Sequence, residues 1–510
     1  MMCNTVPAVV TRQALLLVQD QRPFDLHPRD AALRVAGGGL GRRLLHLVQR
    51  RGRAVAPRAR HLAELLRGLR QTCAPQCRVV TSRASQNAAL VTTTPQTMTA
   101  KPETLGMCSK RLARIERFLA ERYIAAGKLP CALLQVSRQG QLVHQTVLGK
   151  ASLESGAALA EDSLMRIYSM SKPITSLAFM MLVEEGLVAL DDPVHRYIPS
   201  WRDLAVYVAG GGGLPGTPPG WQTRPTDAPM RIIDLLRHTS GLTYGFQSRT
   251  NVDAAYRQFK IHPFEQAEGL EAFIEGLAKL PLEFSPGTAW NYSVSTDVLG
   301  YLVGKISGMP FEQFLQQRIF GPLGMVDTAF HVADDKAQRL AECYMNSPEG
   351  KLVPLPGRRF REPASAPSGG GGLVSTARDY MRFCEVLRGG GALGGVRLLG
   401  PKTVALMRMN HLPGGRDLAD LSVSMFSEAS YKGVGFGLGF AMTTDVAKTQ
   451  VAGSVGEYWW GGAASTAFWI DPVEDLSVVF LTQFMPSTLY PIRRELRTMI
   501  NAAVLESNAR

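Results

Sequence analysis

The readable part of the chain opens with apolar residues spaced near a helical period. Leu112, Ile115, Phe118, Leu119, Tyr123 and Ile124 share one face, which predicts a helix over 109–126, and Gly127 and Pro130 follow as stop signals. Two apolar runs, 132–137 and 142–148, flank the turn sequence Arg138-Gln139-Gly140-Gln141 and predict a hairpin. A long apolar helix is expected at 172–186. From about 190 to 365 the pattern is mainly helical with long loops, including Gly210–Gly213 and the Pro-rich 215–229. Strands return at Thr466–Asp471 and Leu476–Gln483, and Gly435–Phe440 reads as a further strand where glycine permits close approach. A last helix is expected near 491–505. Helix and strands at both ends, with helices between, predict one sheet built from both ends of the chain and an inserted helical region, an α+β fold.

Composition changes this picture at one end only. The chain has 510 residues and a formal charge of +13, which first suggests a nucleic-acid binder. Residues 1–97 hold 15 arginines, no lysine and four acidic residues, a net +11, which leaves +2 on 98–510. A nearly neutral body gives no electrostatic footprint for DNA or RNA. The Arg-rich segment 1–97 is expected to be a disordered extension. Three readings stand for it: a transit peptide, a basic tail, or a reading frame opened too early, with translation beginning at Met98. The change of composition at Met98 favours the third. Residues 98–510 then form the folded domain.

No run of 18 apolar residues exists, so no membrane span is expected; the longest candidate, 174–190, is broken by Glu184, Glu185 and Gly186. Seven cysteines in no zinc spacing, and nine histidines without an HExxH pair, predict a reducing compartment and no metal or other cofactor. The cytoplasm is the expected location, or the mitochondrial matrix or intermembrane space if the Arg-rich segment is a transit peptide.

The sharpest chemical signal is Tyr168-Ser169-Met170-Ser171-Lys172-Pro173. A serine hydroxyl is a weak nucleophile that needs a nearby base, and on a helix Ser169 and Lys172 share a face. Pro173 belongs in a helix's first turn, which puts Ser169 at the positive end of the helix. A bare S-x-x-K arises by chance roughly once in a chain of this size, so other segments must carry the argument. In order they are Leu190-Asp-Asp-Pro-Val, Tyr197-Ile-Pro, Leu236-Arg-His-Thr-Ser-Gly-Leu, Ser285-Pro-Gly-Thr-Ala-Trp-Asn-Tyr-Ser-Val, Ser368-Gly-Gly-Gly-Gly-Leu-Val-Ser-Thr-Ala and Trp460-Gly-Gly.

Together these segments resemble the serine β-lactamase and penicillin-binding-protein superfamily over about 105–505, in its class C-like branch and closest to the family VIII carboxylesterases. The resemblance implies the β-lactamase/transpeptidase-like fold, an antiparallel sheet flanked by helices. It implies Ser169 as nucleophile, Lys172 and Tyr292 as base and acid, and the backbone amides of Ser169 and Ala463 as the oxyanion hole. Two departures bear on the substrate. Val294 stands where the branch has an asparagine, and Trp460 stands where lactamases carry a cation. Both point from anionic amides towards neutral or apolar esters.

Trp460, Gly461, Gly462, Val294, Tyr458 and Trp459 are the pocket candidates; for Tyr458, Trp459 and Phe468 an acyl pocket and a core position stay open. His238 is expected to be structural, since no G-x-S-x-G elbow is present. The Gly-rich 210–213 and 369–372 segments lack a P-loop lysine and are read as flexible loops, the first as part of a lid. The function expected is hydrolysis of a small carboxylic ester through a Ser169 acyl-enzyme. The rivals are a β-lactamase or D-Ala-D-Ala peptidase, an acyltransferase, and a non-catalytic scaffold of the same fold. Nothing in the sequence sets the oligomeric state.

Overall fold

The computed structural model describes residues 100–211, 220–265, 268–355, 360–424 and 431–509. The Arg-rich segment lies outside the described residues, as do Gly212 and Gly213 of the 210–213 segment read as part of a lid.

Seven antiparallel strands form the central sheet. They are β1 (Cys131–Arg138), β2 (Gln141–Gly149), β3 (Val434–Phe436), β4 (Ala441–Thr443), β5 (Tyr458–Gly461), β6 (Ala467–Asp471) and β7 (Leu476–Leu481), in the order β3-β4-β5-β6-β7-β1-β2. The expected junction of the two ends is the β1–β7 pairing, which runs from Leu133 opposite Leu481 to Arg138 opposite Leu476. The β1–β2 turn has Gln139 at φ 53° and Gly140 at φ 76°, the two left-handed residues of a two-residue hairpin.

The central strands are buried on both faces, so they read as continuous apolar runs rather than alternating ones. Ala132, Leu134 and Val136 of β1, Trp469 of β6 and Val478 and Phe480 of β7 pack one way. They meet Leu112, Ile115 and Leu119 of α1 (Ser109–Leu119) and Ile492, Leu496 and Ile500 of the last helix, Ile492–Asn501. Leu133, Phe468, Ile470, Val479 and Leu481 point the other way, into the larger core. That core holds α2 (Ser171–Glu184), α3 (Ser295–Ser307) and α4 (Ala377–Arg388); the last helix is α5. Helix α2 is buried on almost every side, as a helix apolar all round should be.

The excursion from the sheet is longer than the sequence suggests. The chain leaves β2 at Gly149 and returns at Val434, so it includes α2 and α4 as well as the expected 190–365. It is also less uniformly helical. Ala205–Gly210 pairs with Trp221–Pro225, and Tyr344–Asn346 pairs with Leu352–Pro354. These strands are short and interrupted by Gly and Pro, so they leave little periodicity to read. The expected strand at 435–440 is confined to Val434–Phe436.

Met165–Arg166 pairs with Val374–Ser375. This short ladder brings the Gly369–Gly372 loop against the start of α2: Ile167 N–H donates to Leu373 O at 3.1 Å, and Leu373 N–H to Ser171 Oγ at 3.2 Å. The loop is buried and closely packed, which corrects its reading as a flexible segment. A Cβ on Gly370 would lie 2.5 Å from Asp297 Oδ2 and 2.8 Å from Tyr244 OH, so only glycine fits there.

Candidate active site

Ser169 sits in a single 3-10 turn, Tyr168–Met170, that runs directly into α2. It is the one residue between Ser163 and Leu182 that is not buried. Tyr168 before it takes φ 43°, a left-handed conformation rare for a bulky residue and held here by the packed surroundings. Pro173 lies in the first turn of α2, as its missing N–H favours.

One turn on, Lys172 is buried, and its Nζ has three partners: Gly370 O at 2.6 Å, Tyr244 OH at 3.0 Å and Ser169 Oγ at 3.4 Å. It also lies 4.5 Å from the ring centroid of Tyr292. The partners differ in kind. A carbonyl only accepts, so Gly370 takes one N–H. The Tyr244 hydroxyl donates its proton to Asp297 Oδ2 at 3.4 Å and can accept a second N–H. The third direction of the amine points at Ser169 Oγ, the oxygen whose proton must be removed for attack.

Sequence reasoning missed this second layer. Asp297, in the first turn of α3, accepts Gly370 N–H at 2.9 Å and the Ser368 hydroxyl, and so holds both of the non-serine partners of Lys172. Burial pushes the Asp297 carboxyl above its ordinary range, opposed by the charge of Lys172. Burial, with Asp297 and Tyr292 nearby, pushes the Tyr244 phenol well up. The available signals were slight. Tyr244 lies two residues past the quoted 236–242 segment, and Asp297 five past Tyr292.

Tyr292 and Trp460 meet. The indole N–H donates to Tyr292 OH at 3.4 Å, and the ring centroids lie 5.4 Å apart. Behind them His238, with φ 58°, packs its ring 5.1 Å from Tyr292 and 5.6 Å from Phe436, and its Nδ1 lies 3.2 Å from Ser293 Oγ. Burial, then the charge of Lys172, holds the imidazole well below its usual pKa and therefore neutral. It is a packing residue, in line with the sequence.

A pocket of about 110 Å³ opens beside Ser169, lined among others by Tyr292, Trp459, Trp460, Gly461, Gly462 and Ala463. β4 pairs with β5 only as far as Ala441 opposite Trp459, so Trp460 and Gly461 lie beyond that pairing. Phe468 also lines it. Two sequence candidates are corrected. Val294 is wholly buried as the residue that caps α3, and Tyr458 is buried against Phe440 with centroids 4.9 Å apart. Tyr458 shares a face of β5 with Trp460 but stands at the start of the strand, packed on Phe440, and does not line the pocket. Gly462 meets the nucleophile turn so closely that a Cβ there would lie 2.3 Å from Ile167 O.

Among the described residues no group of His, Cys, Asp and Glu gathers in a way that could hold a metal ion, and no helix is long and apolar enough to cross a membrane.

The Beta-lactamase family model matches residues 115–500. Protein Rv1367c of Mycobacterium tuberculosis is 37% identical over 365 residues, which cover 71% of this chain and 87% of that protein. Esterase EstB of Burkholderia gladioli is 32% identical over 381 residues, covering 70% of this chain and 86% of EstB. Among solved structures, EstCE1, described as a hydrolase with promiscuous acyltransferase activity, superposes with a TM-score of 0.64 at 26% identity, covering 78% of this chain and 99% of its own. With its serine and lysine at the head of a buried helix beside an antiparallel sheet, this chain belongs to the β-lactamase family and has the β-lactamase/transpeptidase-like fold.

Proposed function

We propose that the protein hydrolyses small carboxylic esters through an acyl-enzyme on Ser169. The observation that carries this reading is the set of contacts around Lys172, which leaves one direction of the amine, that of Ser169, for proton transfer. Ser169 Oγ attacks the ester carbonyl and Lys172 takes the hydroxyl proton. The amides of Ser169 and Ala463 hold the oxyanion. Tyr292, at the pocket wall, gives its phenolic proton to the departing alkoxide and regains one from the Lys172 ammonium beside it. Water then attacks the acyl-enzyme, releases the acid and restores Ser169.

The choice of ester over lactam rests on Trp460. An aromatic side chain that bonds Tyr292 and packs 5.4 Å from Phe436 stands where lactamases carry a cation. The relatives' names supply an esterase and a hydrolase with acyltransferase activity, which fits the same acyl-enzyme.

The test is hydrolysis of p-nitrophenyl acetate, butyrate and octanoate by wild type and Ser169→Ala. Turnover graded by chain length and lost in the variant is expected, with kcat down by about 10³-fold or more. Equal rates in the two proteins would remove the reading. An alcohol acceptor added to the assay separates hydrolysis from acyl transfer by its products.

A further inference from the structure

We infer that Arg493, on the last helix, is a positioning residue for the oxyanion hole: its guanidinium fixes and polarises the peptide that carries the Ala463 N–H. The inference rests on the acyl-enzyme reading above, with Ala463 as an oxyanion donor.

Arg493 Nη2 donates to Gly462 O at 2.7 Å and to Thr466 O at 2.9 Å. These carbonyls stand at the two ends of the turn that joins β5 to β6. The turn is closed by Gly462 N–H to Thr466 O at 2.9 Å and Ser465 N–H to Gly462 O at 3.1 Å. The Gly462 carbonyl and the Ala463 amide belong to one peptide unit. In a planar trans peptide C=O and N–H point in opposite directions, so a group that grips the oxygen aims the N–H. A charge-assisted bond to the oxygen also polarises the unit and strengthens its N–H as a donor. Arg493, Ala463 and Ser169 all line the same pocket.

The neighbouring glycine fits this role. A Cβ on Gly461 would lie 2.7 Å from Arg493 Cζ and 2.8 Å from Nη2, so the missing side chain admits the guanidinium. One helical turn on, Arg497 pairs with buried Glu457 at 2.6 and 3.1 Å and lies 4.3 Å from the Trp459 ring centroid. Helix α5 thus grips β5 at its start through Arg497 and at its catalytic end through Arg493. The alternative is a staple that only holds helix to hairpin.

The experiment compares full-length wild type, Arg493→Ala, Arg493→Lys, Gly461→Ala and Ser169→Ala. It measures kcat and KM on p-nitrophenyl butyrate, the thermal midpoint, and inhibition by phenylboronic acid. The boronic acid reads the oxyanion site directly: an Oγ–B bond forms, no group leaves, the serine proton passes to the site's base, and the tetrahedral boronate is anionic. Arg493→Ala is expected to lower kcat by about 10- to 100-fold with KM within about threefold. Its affinity for phenylboronic acid should fall by a similar factor, and added methylguanidinium should restore part of kcat. Arg493→Lys should fall between, and Gly461→Ala, which displaces the guanidinium without removing it, should show the same loss. Unchanged boronic-acid affinity in Arg493→Ala and Gly461→Ala, with any loss of rate following the thermal midpoint, would overturn the inference in favour of the staple. Full turnover in Ser169→Ala would instead sink the acyl-enzyme reading beneath it.

Discussion

Methionine in place of Lys172 is expected to lower kcat on p-nitrophenyl butyrate by about 10³-fold, with KM within a few-fold of wild type. The side chain is buried and its length is nearly matched, so the change removes the amine without opening a cavity. What disappears is the amine 3.4 Å from Ser169 Oγ. The attacking oxygen must then shed its proton to water, since the arginines that line the pocket stay protonated and cannot accept it. The cost to stability is separate and smaller. Gly370 O loses a donor, a penalty of about 1–3 kcal/mol, which a domain with several times that stability survives. Thermal unfolding and kinetics on the same preparation distinguish the two. A folded Lys172→Met protein that keeps more than about a tenth of wild-type kcat would show that another group takes the proton.

The second large effect separates two tyrosines that both touch Lys172. Tyr292→Phe keeps the ring 4.5 Å from Nζ and removes only the hydroxyl, which accepts the Trp460 N–H and reaches the pocket. Loss of a proton carrier between nucleophile and leaving group is expected to lower kcat by about 10²- to 10³-fold. Tyr244→Phe should cost much less. Its hydroxyl lies between Lys172 and Asp297, burial and Asp297 push its phenol well up, and it does not line the pocket. It holds the amine rather than carrying protons to the substrate. Parallel kcat and KM measurements on the two variants decide the assignment, and a larger loss of kcat in Tyr244→Phe would transfer the relay to Tyr244.

The sequence exposes those parts of the fold that depend on local periodicity or on a special backbone geometry. Helix α1, the β1–β2 hairpin with its Gln139-Gly140 turn, and the joining of both ends in one sheet are of this kind. So is the pairing of Ser169 with Lys172, because three residues on a helix place them on one face. The short strands of the excursion, such as Ala205–Gly210 with Trp221–Pro225, derive from tertiary packing and carry no periodic signal.

The rest of the site joins residues far apart in the chain. Asp297 reaches Lys172 through Tyr244 and Gly370, and Arg493 reaches the turn between β5 and β6 from a helix whose spacing announces only its buried face. The glycines of 369–372 illustrate the ambiguity. In sequence they resemble a flexible loop; in the fold they permit a buried crossing in which Gly370 touches both Asp297 and Tyr244. Val294 and Tyr458 show the converse, since adjacency to a motif does not tell which way a side chain points.

The central claim is that Ser169 carries the acyl group, and mass spectrometry on acid-quenched turnover reads it most directly. Wild type mixed with excess p-nitrophenyl butyrate and quenched within the first turnovers is expected to gain one butyryl group, mapped by proteolysis to the peptide that contains Ser169. Ser169→Ala should gain none. A butyryl group found on another residue, or active wild type that never acquires one at any quench time, would contradict the account.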